Sequence, residues 1–143
     1  MPDVSRSVLV GFTPAQMFDL VDAVENYPKF LPWCGGVTVI HRDDDTTRAA
    51  ILINYRGIRH SFTTENAKRA PGEMLIRLVE GPFRRLNGSW RFTNLAGRGC
   101  KIEFSLHYEF ASRLLEKLVG PVFDHIAGTL MEAFVKRAEQ IYD

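Results

Sequence analysis

The C-terminal end of the chain carries apolar side chains at helical spacing. Between Ser112 and Tyr142 they recur every three or four positions, at Leu115, Leu118, Val122, Ile126, Leu130, Phe134, Ala138 and Ile141. The stripe is broadened by Val119, Phe123, Ala127 and Met131. A helix of about thirty residues would be roughly 45 Å long. Because proline lacks an N–H and clashes with the preceding turn, Gly120-Pro121 predicts either a kinked helix or two consecutive helices. So wide an apolar face needs a large surface to cover, which favours a single antiparallel sheet.

Most of the preceding chain alternates with the period of two that is typical of strands. The clearest alternation is at Ile102–Phe110, where apolar residues alternate with polar and charged ones. Met17 to Val24 predicts a short amphipathic helix, and two prolines limit Tyr27–Trp33 to a helical turn or loop. Six further strands are predicted, at Val4–Val10, Val37–His41, Arg48–Tyr55, Ile58–Ala67, Met74–Leu78 and Leu86–Phe92.

This order of elements predicts a single α+β domain over residues 1–143. The turns are short and no linker divides the chain. Because a long twisted sheet of about seven strands tends to curl, its concave face is expected to wrap the C-terminal helix. The Tyr27–Trp33 segment would then close one end of a hydrophobic tunnel between sheet and helix.

Composition adds few constraints on function. The 143 residues are 45% hydrophobic and 24% charged with a net charge of +1, so no global field favours nucleic acid or membrane. No uninterrupted apolar run approaches the roughly 18 residues of a membrane span, and the first six residues do not resemble a signal peptide. Cys34 and Cys100 lack metal-ligand spacing, so we expect buried, reduced thiols, no metal and a cytoplasmic protein.

Several motifs point to one family. They are Tyr27–Cys34 (Tyr-Pro-Lys-Phe-Leu-Pro-Trp-Cys), Phe62–Asn66, Gly81-Pro82-Phe83, Leu86–Phe92 and Ala133–Ala138. With the predicted layout, they resemble the START-like (Bet v 1-like) helix-grip proteins. More narrowly, the chain is similar to the coenzyme Q-binding and RatA (ribosome association toxin)-like family, often labelled polyketide cyclase/dehydrase. The resemblance runs nearly from end to end.

The resemblance implies two functions. One is binding of ubiquinone or a polyprenyl quinone-like lipid in support of respiration, without turnover and without a cofactor. The other is binding of the large ribosomal subunit to block subunit association, which raises the prospect of an antitoxin partner. A cyclase-type enzyme is the third alternative, implied by more distant relatives. A quinone carrier must meet a bilayer, so a protein peripheral to the inner membrane is expected, with transient contact through Phe30, Leu31 and Trp33 if these are exposed.

The predicted inner faces supply candidate ligand-binding residues. They are Phe30, Trp33, Phe62, Thr64, Asn66, Leu78, Trp90, Phe92, Phe104, Leu106, Phe123, Ile126 and Leu130. An ordinary filled core is the alternative for each of them. A void of about 300 Å³ would cost on the order of 7 kcal/mol, so a cavity of that size should hold a ligand, collapse or take in water. Thr64 and Asn66 would either hydrogen-bond a quinone carbonyl or ring substituent, or satisfy groups nearby.

No motif of nucleophilic, metal or phosphate chemistry occurs in the sequence, and no catalytic residue is predicted. A cyclase would need a base in the cavity, and only His60 and Glu80 are candidates. Basic residues gather on the sixth and seventh strands and their turn, at Arg84, Arg85, Arg91, Arg98 and Lys101. They are candidates for contacts with ribosomal RNA phosphates. The alternative is an ordinary sheet face balanced by Glu103 and Glu109.

Overall fold

A computed structural model describes residues 3–142, and positions 1, 2 and 143 of the predicted domain lie outside the described residues. The predicted α+β order is confirmed. The elements are β1 Asp3–Val10, α1 Pro14–Asp22, a 3₁₀ helix Val24–Lys29, β2 Cys34–Arg42, β3 Thr46–Tyr55, β4 Ile58–Arg69, β5 Glu73–Glu80, β6 Phe83–Asn94, β7 Cys100–Phe110 and α2 Arg113–Tyr142.

The seven strands form one antiparallel sheet in the order β1-β7-β6-β5-β4-β3-β2. Strands β2 to β7 follow one another as a meander, and β1 returns beside β7. Register shifts interrupt β2, the β4–β5 pairing and the start of β6. Because a bulge bends its strand and increases the local twist, these shifts favour a sheet that curls around α2.

The concave face of the sheet and α2 form the core. On β7 the alternation predicted from sequence is confirmed, with Ile102, Phe104, Leu106, Tyr108 and Phe110 all buried. On α2 the buried stripe includes Val119, Phe123, Ile126, Met131 and Phe134. Leu118 and Ile141 belong to the predicted apolar stripe but are 51% and 46% exposed, because the sheet does not reach their side of the helix.

Helix α2 is continuous through Pro121. Both Pro121 and Lys117, whose carbonyl loses the hydrogen bond, are exposed, so water can satisfy that carbonyl. The Ser112 hydroxyl accepts from the Leu115 N–H at 3.1 Å and caps the helix. By length and composition α2 meets the criterion for a membrane span, with a mean hydropathy of 1.2 over 18 residues. Here its apolar face packs on the sheet.

Candidate functional site

A cavity of about 80 Å³ lies between the sheet and α2. Aromatic side chains surround it from two sides. Phe123 of α2 packs near Phe62, while Phe134, about three turns later, packs on Tyr27 and Trp90. The lining residues are Val24, Tyr27, Trp33, Ile51, Phe62, Thr64, Asn66, Ile76, Leu86, Trp90, Phe104, Leu106, Phe123, Ile126, Ala127, Leu130 and Phe134.

The predicted site residues line this cavity, except for Phe30, Leu78 and Phe92. Phe30 lies outside Tyr27 and Phe134, with ring centroids 6.1 and 5.5 Å away. Phe92 is buried beyond the cavity, where its ring meets Phe18 of α1. Strand parity identifies the face of the sheet that a residue is on, but it does not show where along that face the helix leaves space.

The lining also includes residues outside the predicted set, namely Val24, Tyr27, Ile51, Ile76, Leu86, Ala127 and Phe134. Alternation along β3, β5 and β6 places Ile51, Ile76 and Leu86 on the inner face of the sheet, so the sequence could have identified them. Tyr27 has no comparable periodic signal, because it lies in the 3₁₀ helix. Its hydroxyl donates to the Val21 carbonyl at 2.5 Å, and burial raises the pKa of that hydroxyl well above its usual range.

Thr64 and Asn66 bring polar side chains from β4 to the cavity. Asn66 is 8% exposed, and its Nδ2 donates to Met74 Sδ at 3.4 Å, a weak acceptor. Its Oδ1 is buried and has no hydrogen-bond partner among the described residues. A buried acceptor of this kind costs about 1–3 kcal/mol. Asn66 is therefore the unsatisfied polar group of an otherwise mainly apolar site.

Beyond Asn66, the same face of β4 ends in a polar cluster. Lys68 Nζ lies 3.1 Å from Asp22 Oδ2, and the Thr47 hydroxyl donates to Asp22 Oδ1 at 2.8 Å. The Lys68 side chain is only 5% exposed. These contacts tie the end of α1 to β3 and β4, and they fix the wall next to Asn66.

An open groove of about 250 Å³ lies on the other side of Trp33. Trp33 lines both the groove and the cavity, and its own carbonyl accepts from the Asn54 N–H at 2.8 Å. Tyr55 and His125 stack across the groove, with rings 5.9 Å apart and inclined by 7°. The Trp33 side chain therefore separates the groove from the cavity.

The cavity is smaller than the tunnel expected from the sequence. Small-molecule pockets measure about 300–1,000 Å³, against about 80 Å³ here. At about 24 cal/mol per Å³, a cavity of this size costs roughly 2 kcal/mol, which a domain tolerates. The walls have thus largely closed, which is one of the three outcomes expected for such a site. The groove and cavity volumes together reach the lower end of the ligand-pocket range.

The residues suggested for a cyclase do not meet in this site. Neither His60 nor Glu80 lines the cavity, and Glu80 is exposed at the end of β5. Within residues 3–142 no group of three His, Cys, Asp or Glu side chains has a metal-binding arrangement. Cys34 and Cys100 are buried and free, as expected.

The basic residues on β6, β7 and their turn do not form an unpaired patch. Arg84 pairs with Glu109 at 3.0 Å and Arg91 with Glu73 at 3.2 Å, so two of the five charges are locally balanced. Arg85, Arg98 and Lys101 have no ion-pair partner among the residues that the structure describes.

The three side chains expected to contact a membrane are not freely exposed. Leu31 and Trp33 are buried, and the guanidinium of Arg137 lies over the ring of Phe30.

Comparison with known proteins identifies the family. The profile of "Polyketide cyclase / dehydrase and lipid transport" matches residues 10–135. The chain belongs to this family. It is 39% identical over 142 residues to the ribosome association toxin RatA of Escherichia coli K12, covering 99% of this chain and 90% of the relative. It is 31% identical over 144 residues to the coenzyme Q-binding protein COQ10 homolog B of Xenopus laevis, covering 98% of this chain and 59% of that protein.

A solved START superfamily protein from Mycobacterium smegmatis has the same fold. The TM-score is 0.76 at 20% identity, over 97% of this chain and 98% of that one. The predicted START-like helix-grip architecture is therefore confirmed. The relatives' names describe ribosome association and coenzyme Q binding, whereas the family description also includes cyclases and dehydrases.

Proposed function

We propose that the protein binds a lipophilic ligand, a ubiquinone-like or other prenyl lipid, between the sheet and α2. It does so without turnover and without a cofactor. The supporting observation is the mainly aromatic and aliphatic cavity lined by both the sheet and the helix. Each CH₂ group of a prenyl chain contributes about 0.8 kcal/mol when buried. Binding enlarges the cavity toward the groove behind Trp33, and we expect a cytoplasmic protein that meets the inner membrane transiently.

Native mass spectrometry with solvent extraction tests this proposal on protein purified from its own host without detergent. We expect a prenyl lipid of defined mass to copurify at about one molecule per chain. Added prenyl quinones should also bind and raise the melting temperature, because a ligand of the native state stabilises it. A protein that carries no lipid and shows no affinity for added prenyl lipids would overturn the proposal.

A second candidate is association with the large ribosomal subunit. It is supported by the relative named ribosome association toxin, which is 39% identical over an alignment covering 99% of this chain. The contact would use Arg98 and Lys101 near the β6–β7 turn and Arg85 near the opposite end of β6, none of which has an ion-pair partner in residues 3–142. Sedimentation with purified large subunits tests it. We expect Arg85→Glu/Lys101→Glu to weaken a salt-sensitive binding, and Arg113→Glu on α2 to leave it unchanged. Equal binding by both variants would reject this surface.

A further inference from the structure

The polar end of the cavity contains a hydrogen-bond acceptor that has no donor among the described residues. Asn66 lines the cavity and is 8% exposed. Its Nδ2 is held against Met74 Sδ at 3.4 Å, while its Oδ1 lacks a partner among residues 3–142. Reversing the amide would place Oδ1 against a sulfur atom that carries no proton to donate. The group left unsatisfied is therefore an acceptor.

An acceptor is satisfied only by a donor. A quinone ring presents carbonyl oxygens, which accept hydrogen bonds, whereas a phenol or quinol presents hydroxyl groups, which donate them. Thr64, two residues earlier on β4, lines the same cavity with a hydroxyl that can donate or accept. The pair therefore suits a hydroxyl group, which can donate to Asn66 and accept from Thr64.

We propose that the cavity recognises a lipophilic phenol or quinol through donation of its hydroxyl to Asn66 Oδ1. This inference rests on the proposed function, because it requires that a lipid enter the cavity. It also gives the site a preference between two redox states of one lipid. The reduced quinol would be retained, and the oxidised quinone, which lacks the donor, would be bound more weakly.

The test uses two probes that differ in one proton donor. Ortho-geranylphenol and its methyl ether share the ring and the apolar tail, but only the phenol can donate. Affinities are measured by calorimetry for the wild type, Asn66→Leu and Asn87→Leu. Asn87→Leu is the control, because it makes the same substitution at an exposed position on the outer face of β6. Asn66→Val, which suits a strand, replaces Asn66→Leu if the latter does not fold.

We expect the wild type and Asn87→Leu to bind the phenol roughly tenfold more tightly than the ether. Asn66→Leu should bind both probes equally, and it should not lower the melting temperature, because it removes an unsatisfied polar group. Equal binding of both probes by the wild type would overturn the inference and leave the proposed function standing. An unchanged preference in Asn66→Leu would also overturn it. Failure of both probes to bind the wild type would remove the inference and the proposed function together.

Discussion

Phe134 of α2 meets Trp90 of β6 edge to face, with ring centroids 5.3 Å apart and planes inclined by 89°. The same ring touches Tyr27 of the 3₁₀ helix at 5.3 Å. Phe134 is 1% exposed. One side chain thus joins the helix, an inner strand of the sheet and the 3₁₀ helix beside the cavity.

Replacement of Phe134 should therefore lower the free energy of unfolding by more than its buried surface area alone would predict. We expect Phe134→Ala to lower the free energy of unfolding by about 3–5 kcal/mol, through lost burial and an enlarged cavity. Leu118→Ala, on the exposed side of the same helix, should change it by less than about 0.5 kcal/mol. Denaturation in urea measures both. Equal losses would show that Phe134 does not join the two layers.

The sequence predicts the layers of this fold because each layer has its own period. The alternation on β7 and the helical stripe from Val119 to Phe134 identify the buried faces before any contact is known. Leu118 and Ile141 fall outside the buried face because the extent of the sheet, which decides their burial, depends on strand pairing across the whole chain. The continuity of α2 through Pro121 likewise depends on exposure of that turn.

The candidate site was less predictable for the same reason. Parity identifies Phe62, Trp90 and Phe104 as inward-facing, and all of them line the cavity. It also selects Phe92 and Leu78, which do not line the cavity, since Phe92 is buried beyond it and Leu78 is only partly buried. Asn66 Oδ1 lacks a donor, and Nδ2 contacts Met74 Sδ on the neighbouring strand, two facts of local geometry that a sequence pattern does not contain.

Trp33 should control exchange between the groove and the cavity, because it lines both. We expect Trp33→Leu to speed the uptake and release of a prenyl probe by on the order of tenfold, equivalent to about 1.4 kcal/mol in the barrier. Trp90→Leu makes the same change at a residue that lines the cavity alone. Stopped-flow fluorescence with a dansylated prenyl probe measures the rates. If the two variants accelerate exchange equally, the ligand does not enter the cavity past Trp33.

The Asp22–Lys68 pair should show strong coupling. Asp22→Asn leaves the ammonium of Lys68, whose side chain is 5% exposed, without its counter-ion, and we expect a loss of roughly 3 kcal/mol in the free energy of unfolding. Lys68→Met should cost less, because the Asp22 side chain is 19% exposed and keeps the Thr47 hydroxyl. The double variant should recover part of the loss. A double-mutant cycle measured by denaturation tests this. If the changes in the free energy of unfolding of the two single variants simply add up in the double variant, the pair is not coupled.

The Glu25–Arg42 contact should make stability depend on pH in the acid range. Arg42 Nη1 donates to Glu25 Oε2 at 2.5 Å and Nη2 to Oε1 at 3.2 Å, and this bond with Arg42 holds the pKa of the Glu25 carboxyl below its usual value. A carboxyl whose pKa is lower in the folded state stabilises the fold above its unfolded pKa of about 4.3. That contribution is lost as the pH falls through the lower folded pKa.

Glu25→Gln removes the charge at every pH, so it should lower the melting temperature at pH 6 to 7. The difference from the wild type should shrink below about pH 4, where the wild-type carboxyl also becomes protonated. Glu132→Gln is the matched control, because Glu132 is exposed on α2 and makes no ion pair within the described part of the chain. Thermal unfolding monitored by circular dichroism from pH 3 to 7 provides the comparison. A constant difference across that range would contradict the assigned pKa shift.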